Sequence, residues 1–299
     1  MDIRDHGRYD YSGIRQRPDY DWPGGKRLAF YVALNIEHFS FGETLGHTPT
    51  FTLPAPDARN YAWRDYGLRV GVWRILDILD ECGLPACHLM NTAVYDYAPE
   101  IAQAVRSRGD EVVGHGHTNS ERQTEMTPEQ EWEMLERVTR RLTEEEGKPP
   151  GGWLSPWIAE NAHTPDLVRK AGYRYLLDWP CDDQPVWFRT AHGPLLSIPY
   201  PVELNDTPAM MVRRHTMPEF AAMVLDQFEE MLLQSSRQPL VCGLSLHTPA
   251  VGHPFRLRHL RDLLTRITRH PQRDRVWFTT PGAIAGHIAG LPEGIVPGR

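Results

Sequence analysis

The sequence predicts an α/β protein built on a distorted parallel barrel of about seven strand–helix units, a (β/α)7 arrangement that resembles a TIM barrel. Short apolar runs alternate with amphipathic helical patterns along the chain, and polar residues end several of the apolar runs. This alternation predicts parallel strands joined by right-handed crossovers, with functional groups on one rim. A doubly wound open sheet is the competing fold. Because no strand leads into G-x-G-x-x-G or G-x-x-x-x-G-K, we predict no nucleotide cofactor.

No internal repeat or low-complexity linker divides the 299 residues. We therefore predict a single barrel domain over residues 26–299. Residues 1–25 are polar and aromatic without a period, which indicates an N-terminal arm laid over the barrel.

Composition limits the partners and the compartment. Lys and Arg total 32 against 39 for Asp and Glu, a net charge of −7, and no basic cluster is dense enough for nucleic acid or an anionic membrane. The start lacks a secretory signal and no apolar run is long enough to span a membrane, which predicts a cytoplasmic protein. The four cysteines form no C-x-x-C pair and are expected to be free thiols.

The strand and helix patterns follow one another in order. Strands are predicted over residues 27–34, 85–90, 109–114, 152–154, 173–178, 239–247 and 275–280. Helices are predicted over 66–82, 98–108, 164–171, 218–234 and 257–267, after the capping box Thr127–Gln130, and from Pro281.

Two long insertions interrupt this pattern. Residues 39–65 have no period and are predicted to form a loop that could serve as a lid, since long loops in compact domains are usually functional. Residues 179–215 are rich in Pro and Trp, and residues 193–199 within them could form half of a hairpin.

The stretch that ends the third predicted strand carries the strongest signal for chemistry. His115, His117 and Asn119 follow Gly114, and in an extended chain their side chains project to one side. In a helical turn His115 and Asn119 still meet. The alternative is that these residues satisfy the backbone groups of a loop.

Polar groups also end two other strands of the predicted barrel. Glu37 and His38 follow the first strand, where burial is costly unless they are paired or bind something, although a helix cap is the alternative. His247 ends the sixth strand. Together these residues could hold a divalent metal, or act as general acid and base in adding water to a carbonyl. A serine or cysteine nucleophile finds less support, since there is no G-x-S-x-G elbow.

Five motifs in order resemble the polysaccharide deacetylase family, also called the NodB-homology family, and within it the cytosolic branch of allantoinase-like and cyclic imide hydrolases. They are Trp22-Pro-Gly-Gly leading into Leu34-Asn-Ile-Glu37, then Gly114-His-Gly-His-Thr-Asn119, Thr164-Pro-Asp-Leu167, Asp182-Asp-Gln-Pro-Val-Trp187 and residues 245–256. The resemblance covers most of the chain. It implies a NodB-type distorted barrel and a hydrolase of carbon–nitrogen bonds other than peptide bonds.

The resemblance also bears on whether this protein binds a metal. Polysaccharide-cleaving members hold a divalent metal with paired aspartates and a pair of histidines, whereas this chain has Asn35, Glu37, His115 and Asn119 at those places. Asn is a weak zinc ligand compared with His. We expect either a metal, zinc first, held by Glu37, His115 and Asn119 with His38 or His117 as a further ligand, or metal-independent catalysis as in the allantoinase-like members.

The resemblance and the strand-end positions together lead us to expect a role for each candidate site residue. Glu37 is the expected metal ligand or base, His115 the ligand or carbonyl-polarising group, and His247 the general acid. Expected substrate contacts are Asn35, His117, Trp157, Asp183, Trp187 and His253. The expected substrate is a small amide, imide or ureide, most simply a cyclic one, and the expected assembly is a homo-oligomer, a dimer or tetramer. The alternatives are a metal-dependent N-deacetylase of a sugar or polysaccharide, and a catalytically inactive barrel that binds a small molecule.

Overall fold

The computed structural model describes residues 5–298, so the first four residues of the predicted arm and the last residue of the predicted domain lie outside it. The strands are β1 (Leu28–Ile36), β2 (Ala86–Met90), β3 (Glu111–Gly114), β4 (Gly152–Trp153), β5 (Tyr175–Leu176), β6 (Val186–Phe188), β7 (Leu195–Ser197), β8 (Leu240–His247) and β9 (Val276–Phe278). They form one nine-stranded sheet in the order β6-β7-β5-β4-β3-β2-β1-β8, with β9 also paired to β1.

The helices cover the outside of this sheet. They are α1 (Ala58–Tyr66), α2 (Val72–Cys82), α3 (Val94–Tyr97), α4 (Pro99–Arg108), α5 (Pro128–Glu146), α6 (Thr164–Lys170), α7 (Met217–Gln234), α8 (Thr248–Val251), α9 (Pro254–Thr268) and α10 (Pro281–Ala289). Two π-helical turns, Gly67–Gly71 and Pro208–Val212, join this set.

The predicted α/β barrel is confirmed, with two differences. The sheet is mixed, because β6 and β7 form an antiparallel hairpin within the second insertion. The strand ladder also stays open between β6 and β8, which makes the sheet a curled half-barrel. An isolated bridge between Asn205 and Ser245 pairs the second insertion with β8, where the Ser245 amide donates to the Leu204 carbonyl over 3.0 Å.

The sheet is buried on both faces, as continuous apolar strands predict. Along β1, Phe30, Val32 and Leu34 belong to the core cluster that includes the helices. The alternate residues Ala29 and Ala33 belong to the cluster inside the barrel. Small inward residues leave room for larger side chains from other strands, so the interior is packed rather than hollow.

Three helices were not predicted, the single turns α3 and α8 and the longer α1. The last part of the expected loop 39–65 forms α1, whose buried residues are the polar pair Asn60 and Arg64. Helix prediction relies on an apolar stripe, and here a polar pair at i and i+4 takes its place. Asp57 caps α1 by accepting from the Asn60 amide.

The N-terminal arm packs on its own barrel. Arg17 donates to both oxygens of Asp182 over 2.7 and 2.6 Å. The Trp22 indole donates to the Leu240 carbonyl at the amino end of β8, over 3.1 Å. The homo-oligomer stays a prediction.

Two smaller expectations concern the cysteines and the membrane. All four cysteines are free. Within residues 5–298, every helix is too short or too polar to cross a bilayer.

The packing of α7 on β1 yields a stability prediction. Phe228 is fully buried, and its ring meets Phe30 edge-on at a centroid distance of 5.7 Å. Phe228→Ala should lower the free energy of unfolding by roughly 3–5 kcal/mol, through lost burial and a cavity. Leu233→Ala, at a position of the same helix with 66% exposure, is the control and should change it by less than about 0.5 kcal/mol. Equal losses in urea titrations would contradict this core assignment.

Candidate active site

The three predicted catalytic residues meet at the carboxyl ends of the central strands. Glu37 follows β1, His115 follows β3 and His247 ends β8, which lies beside β1 with Asn35 opposite His247. One oxygen of Glu37, Oε1, is 3.6 Å from His115 Nε2 and 3.5 Å from His247 Nε2. All three side chains are buried, with exposures of 7%, 1% and 7%. The sheet topology thus creates a closed cluster of two imidazoles around one carboxylate.

Asp206 fixes the orientation and charge of His247. Its Oδ1 lies 2.6 Å from His247 Nδ1, and its Oδ2 accepts the His247 backbone amide over 2.7 Å. Because a carboxylate can only accept, Nδ1 carries a proton and Nε2 points at Glu37. Burial alone would lower the pKa of His247, but the carboxylates of Asp206 and Glu37 outweigh it and raise the pKa to about 9. His247 is therefore an imidazolium at neutral pH.

Glu37 is held as a carboxylate by the two cations beside it. Burial would raise its pKa, but His247 and Arg64 hold the pKa well below its usual range. Arg64 Nη1 lies 3.4 Å from Glu37 Oε2, on the side away from the imidazoles. Buried charges of this kind persist only when they are paired.

His115 is oriented by the loop after β4. Its Nδ1 lies 2.8 Å from the Leu154 carbonyl, which can only accept, so Nδ1 carries a proton. Asp178 holds this loop in place by accepting from the amide and the hydroxyl of Ser155, each over 2.7 Å. The other nitrogen, His115 Nε2, is buried without a hydrogen-bond partner among the described residues. It is open to a substrate or a water molecule.

The remaining predicted metal ligands face other partners. Asn119 Oδ1 accepts from Asn91 Nδ2 over 3.0 Å, and Asn91 also binds the backbone of His115 and His38. The His38 ring lies 4.8 Å from the Tyr97 ring. Asn119 and His38 therefore brace the rim, and the ligand set expected from the sequence is not assembled.

The charge of the site also argues against a divalent ion. Two carboxylates, Glu37 and Asp206, are already balanced by the Arg64 guanidinium and the His247 imidazolium. A dication here would have to displace the proton of His247 and compete with Arg64 for Glu37, so these ion pairs would be lost. Across residues 5–298, no group of three or more His, Cys, Asp or Glu side chains is arranged to hold a metal. The residues present do not fit a metal site.

Three expected substrate contacts lie near the rim, and one is internal. Trp157 donates from its indole to the Asn119 carbonyl over 2.9 Å, and His117 Nδ1 lies 2.9 Å from the Thr92 hydroxyl. The His253 ring stacks on Tyr66 at 4.3 Å. Asn35 is buried and donates to Ser245 Oγ and to the Leu246 carbonyl, so it ties β1 to β8.

The structure corrects the other two expected contacts, Asp183 and Trp187. The Asp183 carbonyl accepts from the amide of Val241 at the start of β8, about 20 Å along the strand from His247. Trp187 is buried in the cluster inside the barrel that includes Trp22 and Val241. Both lie toward the amino end of the sheet, because the hairpin of the second insertion runs down the barrel wall instead of over its mouth.

Two functional residues escaped the sequence analysis, Arg64 and Asp206. Each lies just before one of the two π-helical turns, which occur frequently at functional sites. The sequence offers one signal for the first turn, the glycine pair Gly67 and Gly71. A Cβ on Gly71 would lie 2.3 Å from the Thr248 carbonyl oxygen, so glycine lets the backbone after Arg64 touch the backbone after His247.

Comparisons with known proteins agree with the predicted family and fold. Residues 61–176 match the family model described as polysaccharide deacetylase. A Schizosaccharomyces pombe protein classed with the polysaccharide deacetylases is 26% identical over 284 residues, which cover 88% of this chain and 85% of the relative.

Two solved structures share the fold over most of their length. The structure of an allantoinase, PuuE, superposes with a TM-score of 0.79 at 28% identity, covering 93% of this chain and 97% of that one. A Pseudomonas aeruginosa PAO1 protein classed with the polysaccharide deacetylases gives 0.78 at 27% identity, covering 89% and 92%. The family predicted from the motifs is confirmed: the chain is related to the polysaccharide deacetylases, which places it among hydrolases of carbon–nitrogen bonds other than peptide bonds.

Proposed function

We propose that the protein hydrolyses the carbon–nitrogen bond of a small amide, imide or ureide, most simply a cyclic one, by metal-independent acid–base catalysis. The observation that carries this proposal is a series of side-chain contacts from Asp206 through His247 to Glu37. The series ends at His115 Nε2, which is buried and has no hydrogen-bond partner among the described residues. It supplies a proton donor and a proton acceptor at one point, as hydrolysis of a C–N bond requires.

His247 is the proposed acid. Its Nε2 carries the proton that the leaving nitrogen must receive when the C–N bond breaks, and Asp206 keeps that proton on the ring until then. An acid with a pKa of about 9 is still protonated at neutral pH and can give its proton to an amide nitrogen that becomes more basic as the bond breaks.

His115 Nε2 is the proposed acceptor of the proton from the attacking water. Glu37 was the expected base, but its strongly lowered pKa makes it a weak one, and its better role is to stabilise the imidazolium that forms on His115. The water oxygen bonds to the carbonyl carbon, His115 takes the water proton, and His247 protonates the departing nitrogen. Glu37 Oε1, which lies between the two Nε2 atoms, can then relay the proton from His115 back to His247.

The enclosure of the site supports a small substrate. Glu37, His115 and His247 are nearly inaccessible, and residues 39–57 are bound to Arg64 beside Glu37, whereas a polymer needs an open groove. One of the proteins of similar structure is an allantoinase, which supports a small substrate here as well.

N-deacetylation of a sugar is the second candidate function. It is favoured by the family model and by the P. aeruginosa protein of similar structure. It needs the same attack on an amide carbonyl, with acetate as the acid released.

The charge on His247 generates a pH prediction. Activity needs protonated His247, so kcat should be retained below the pKa of about 9 and fall as the pH rises through it. Asp206→Asn removes a group that raises this pKa, so the alkaline limb should move to lower pH, and kcat should fall about 10²–10⁴-fold. A pH–rate profile measures both. An unshifted alkaline limb in the variant would rule out His247 as the acid.

A second prediction concerns metal. Protein dialysed against a chelator and shown metal-free by elemental analysis should keep full activity, because the charges of the site are balanced without an ion. Activity that disappears with the metal and returns with added zinc would overturn the metal-independent mechanism.

A third prediction concerns the substrate. Hydantoin, allantoin, succinimide and phthalimide should be assayed for acid release beside N-acetylglucosamine oligomers assayed for acetate release. At least one cyclic compound should be hydrolysed, and His247→Ala should reduce that rate by about 10²–10⁴-fold. His192→Ala, at an exposed turn between β6 and β7, is the matched control and should keep the rate.

Acetate release from the oligomers alone would favour the second candidate function. Inactivity on every compound would favour a barrel that only binds a small molecule.

A further inference from the structure

The catalytic cluster is almost closed to solvent in the structure. Glu37, His115 and His247 are 7%, 1% and 7% exposed, and Leu45 of a neighbouring segment is 7% exposed. This covering segment, residues 39–57, contains neither helix nor strand, runs from the end of β1 to the start of α1, and contacts the site through Arg64. A substrate needs a wider opening than the structure shows to meet all three side chains.

Arg64 connects the covering segment to the catalytic carboxylate. Its Nη2 donates to the carbonyls of Leu45 and His47 over 3.0 and 2.7 Å, while its Nη1 lies 3.4 Å from Glu37 Oε2. The guanidinium also stacks over the Phe39 ring at 4.2 Å and is 3% exposed. One planar cation therefore holds two parts of the covering segment and the carboxylate at once, a geometry that suits Arg and not Lys.

A second contact holds the segment from the opposite side. Gly46 has φ +62°, and a Cβ built on it would lie 1.6 Å from the Trp157 ring. Trp157 itself has φ 69°, a strained value for a bulky residue, and its indole is fixed by the Asn119 carbonyl. The glycine thus lets the backbone lie directly against the indole, and strain at such a position is typical of functional sites.

We propose that residues 39–57 are a lid, and that Arg64 is a positioning residue that couples closure of the lid to the placement of Glu37. When the lid lifts to admit substrate, its two carbonyls leave Arg64. When it closes with Gly46 against Trp157, the guanidinium is fixed against Glu37 beside the imidazoles. The catalytic role of Glu37 in this statement rests on the proposed function, whereas the motion of the lid does not.

Hydrogen exchange on the full chain tests the lid with a matched pair of glycines. Gly46 and Gly42 both have positive φ, +62° and +89°, and both lie in the covering segment, but a Cβ on Gly42 meets nothing within 4 Å. Gly46→Ala should speed exchange of the Trp157 indole N–H, which donates to the Asn119 carbonyl over 2.9 Å, roughly tenfold or more, because the added methyl separates the lid from the Trp157 ring. Gly42→Ala should leave the exchange of this indole N–H close to that of the wild type.

Arg64→Gln tests the coupling and provides a second route if Gly46→Ala folds poorly. It should also speed exchange of the Trp157 indole N–H, since the lid loses both of its carbonyl contacts to Arg64 and no longer stays packed on Trp157. On a substrate found active, Gly46→Ala should raise KM more than it lowers kcat, because substrate binding must close a weakened lid. Arg64→Lys should lower kcat more than it raises KM, because a single ammonium cannot keep all three oxygen contacts.

Wild-type exchange in both Gly46→Ala and Arg64→Gln would overturn the lid, and equal acceleration in Gly42→Ala would show that Trp157 does not hold it. An Arg64→Lys enzyme with wild-type kcat would overturn the coupling. Because exchange needs no substrate, a failure of the lid is distinguishable from a failure of the proposed function.

Discussion

The burial of the Glu37 carboxylate is the constraint on which the site depends. Removing a carboxylate from water costs several kcal/mol even after relaxation, and the cost is recovered only through close partners. Glu37 has two cationic partners, His247 on one oxygen and Arg64 on the other, and the His115 ring lies beside the first oxygen. Each partner is itself buried and has its own contacts, which extend the network to Asp206, the loop after β4 and the covering segment.

The fold supplies these partners because parallel strands end at one edge. β1 lies between β2 and β8, so its carboxyl end receives side chains from both neighbours and from β3. The strands themselves provide only Glu37, His115 and His247. The groups that set the charges, Arg64 and Asp206, come from the two insertions, each placed beside a π-helical turn. Insertions of this kind can therefore set the chemistry of the rim without changing the sheet.

Periodicity was enough to predict the barrel and the three residues that converge in it, because apolar strands and the polar residues that end them are local signals. Arg64 was not predictable in this way. It lies on a helix whose buried face is polar, so no apolar stripe marks it, and its partners Glu37 and Leu45 are distant along the chain.

Other errors came from motifs whose position in space the sequence does not fix. Asp183 and Trp187 belong to a recognisable motif, but the hairpin that carries Trp187 runs toward the amino end of the sheet. Asn119 matched a ligand position, yet Asn91 from the neighbouring strand end occupies its oxygen. In each case a contact between residues far apart in the sequence sets the position of the side chain, and a local sequence pattern does not show such a contact.

The most direct test of the central claim is the protonation of the two active-site histidines. The account requires that Asp206 and Glu37 keep His247 doubly protonated, while His115 carries its proton on Nδ1 against the Leu154 carbonyl. Nitrogen-15 NMR of protein labelled at the histidine rings, recorded near pH 7.5 and assigned with the Ala variants of both residues, reads these states separately. We predict imidazolium shifts for His247 and a protonated Nδ1 with an unprotonated Nε2 for His115. A neutral His247, or a proton on His115 Nε2, would contradict the assignment of acid and base.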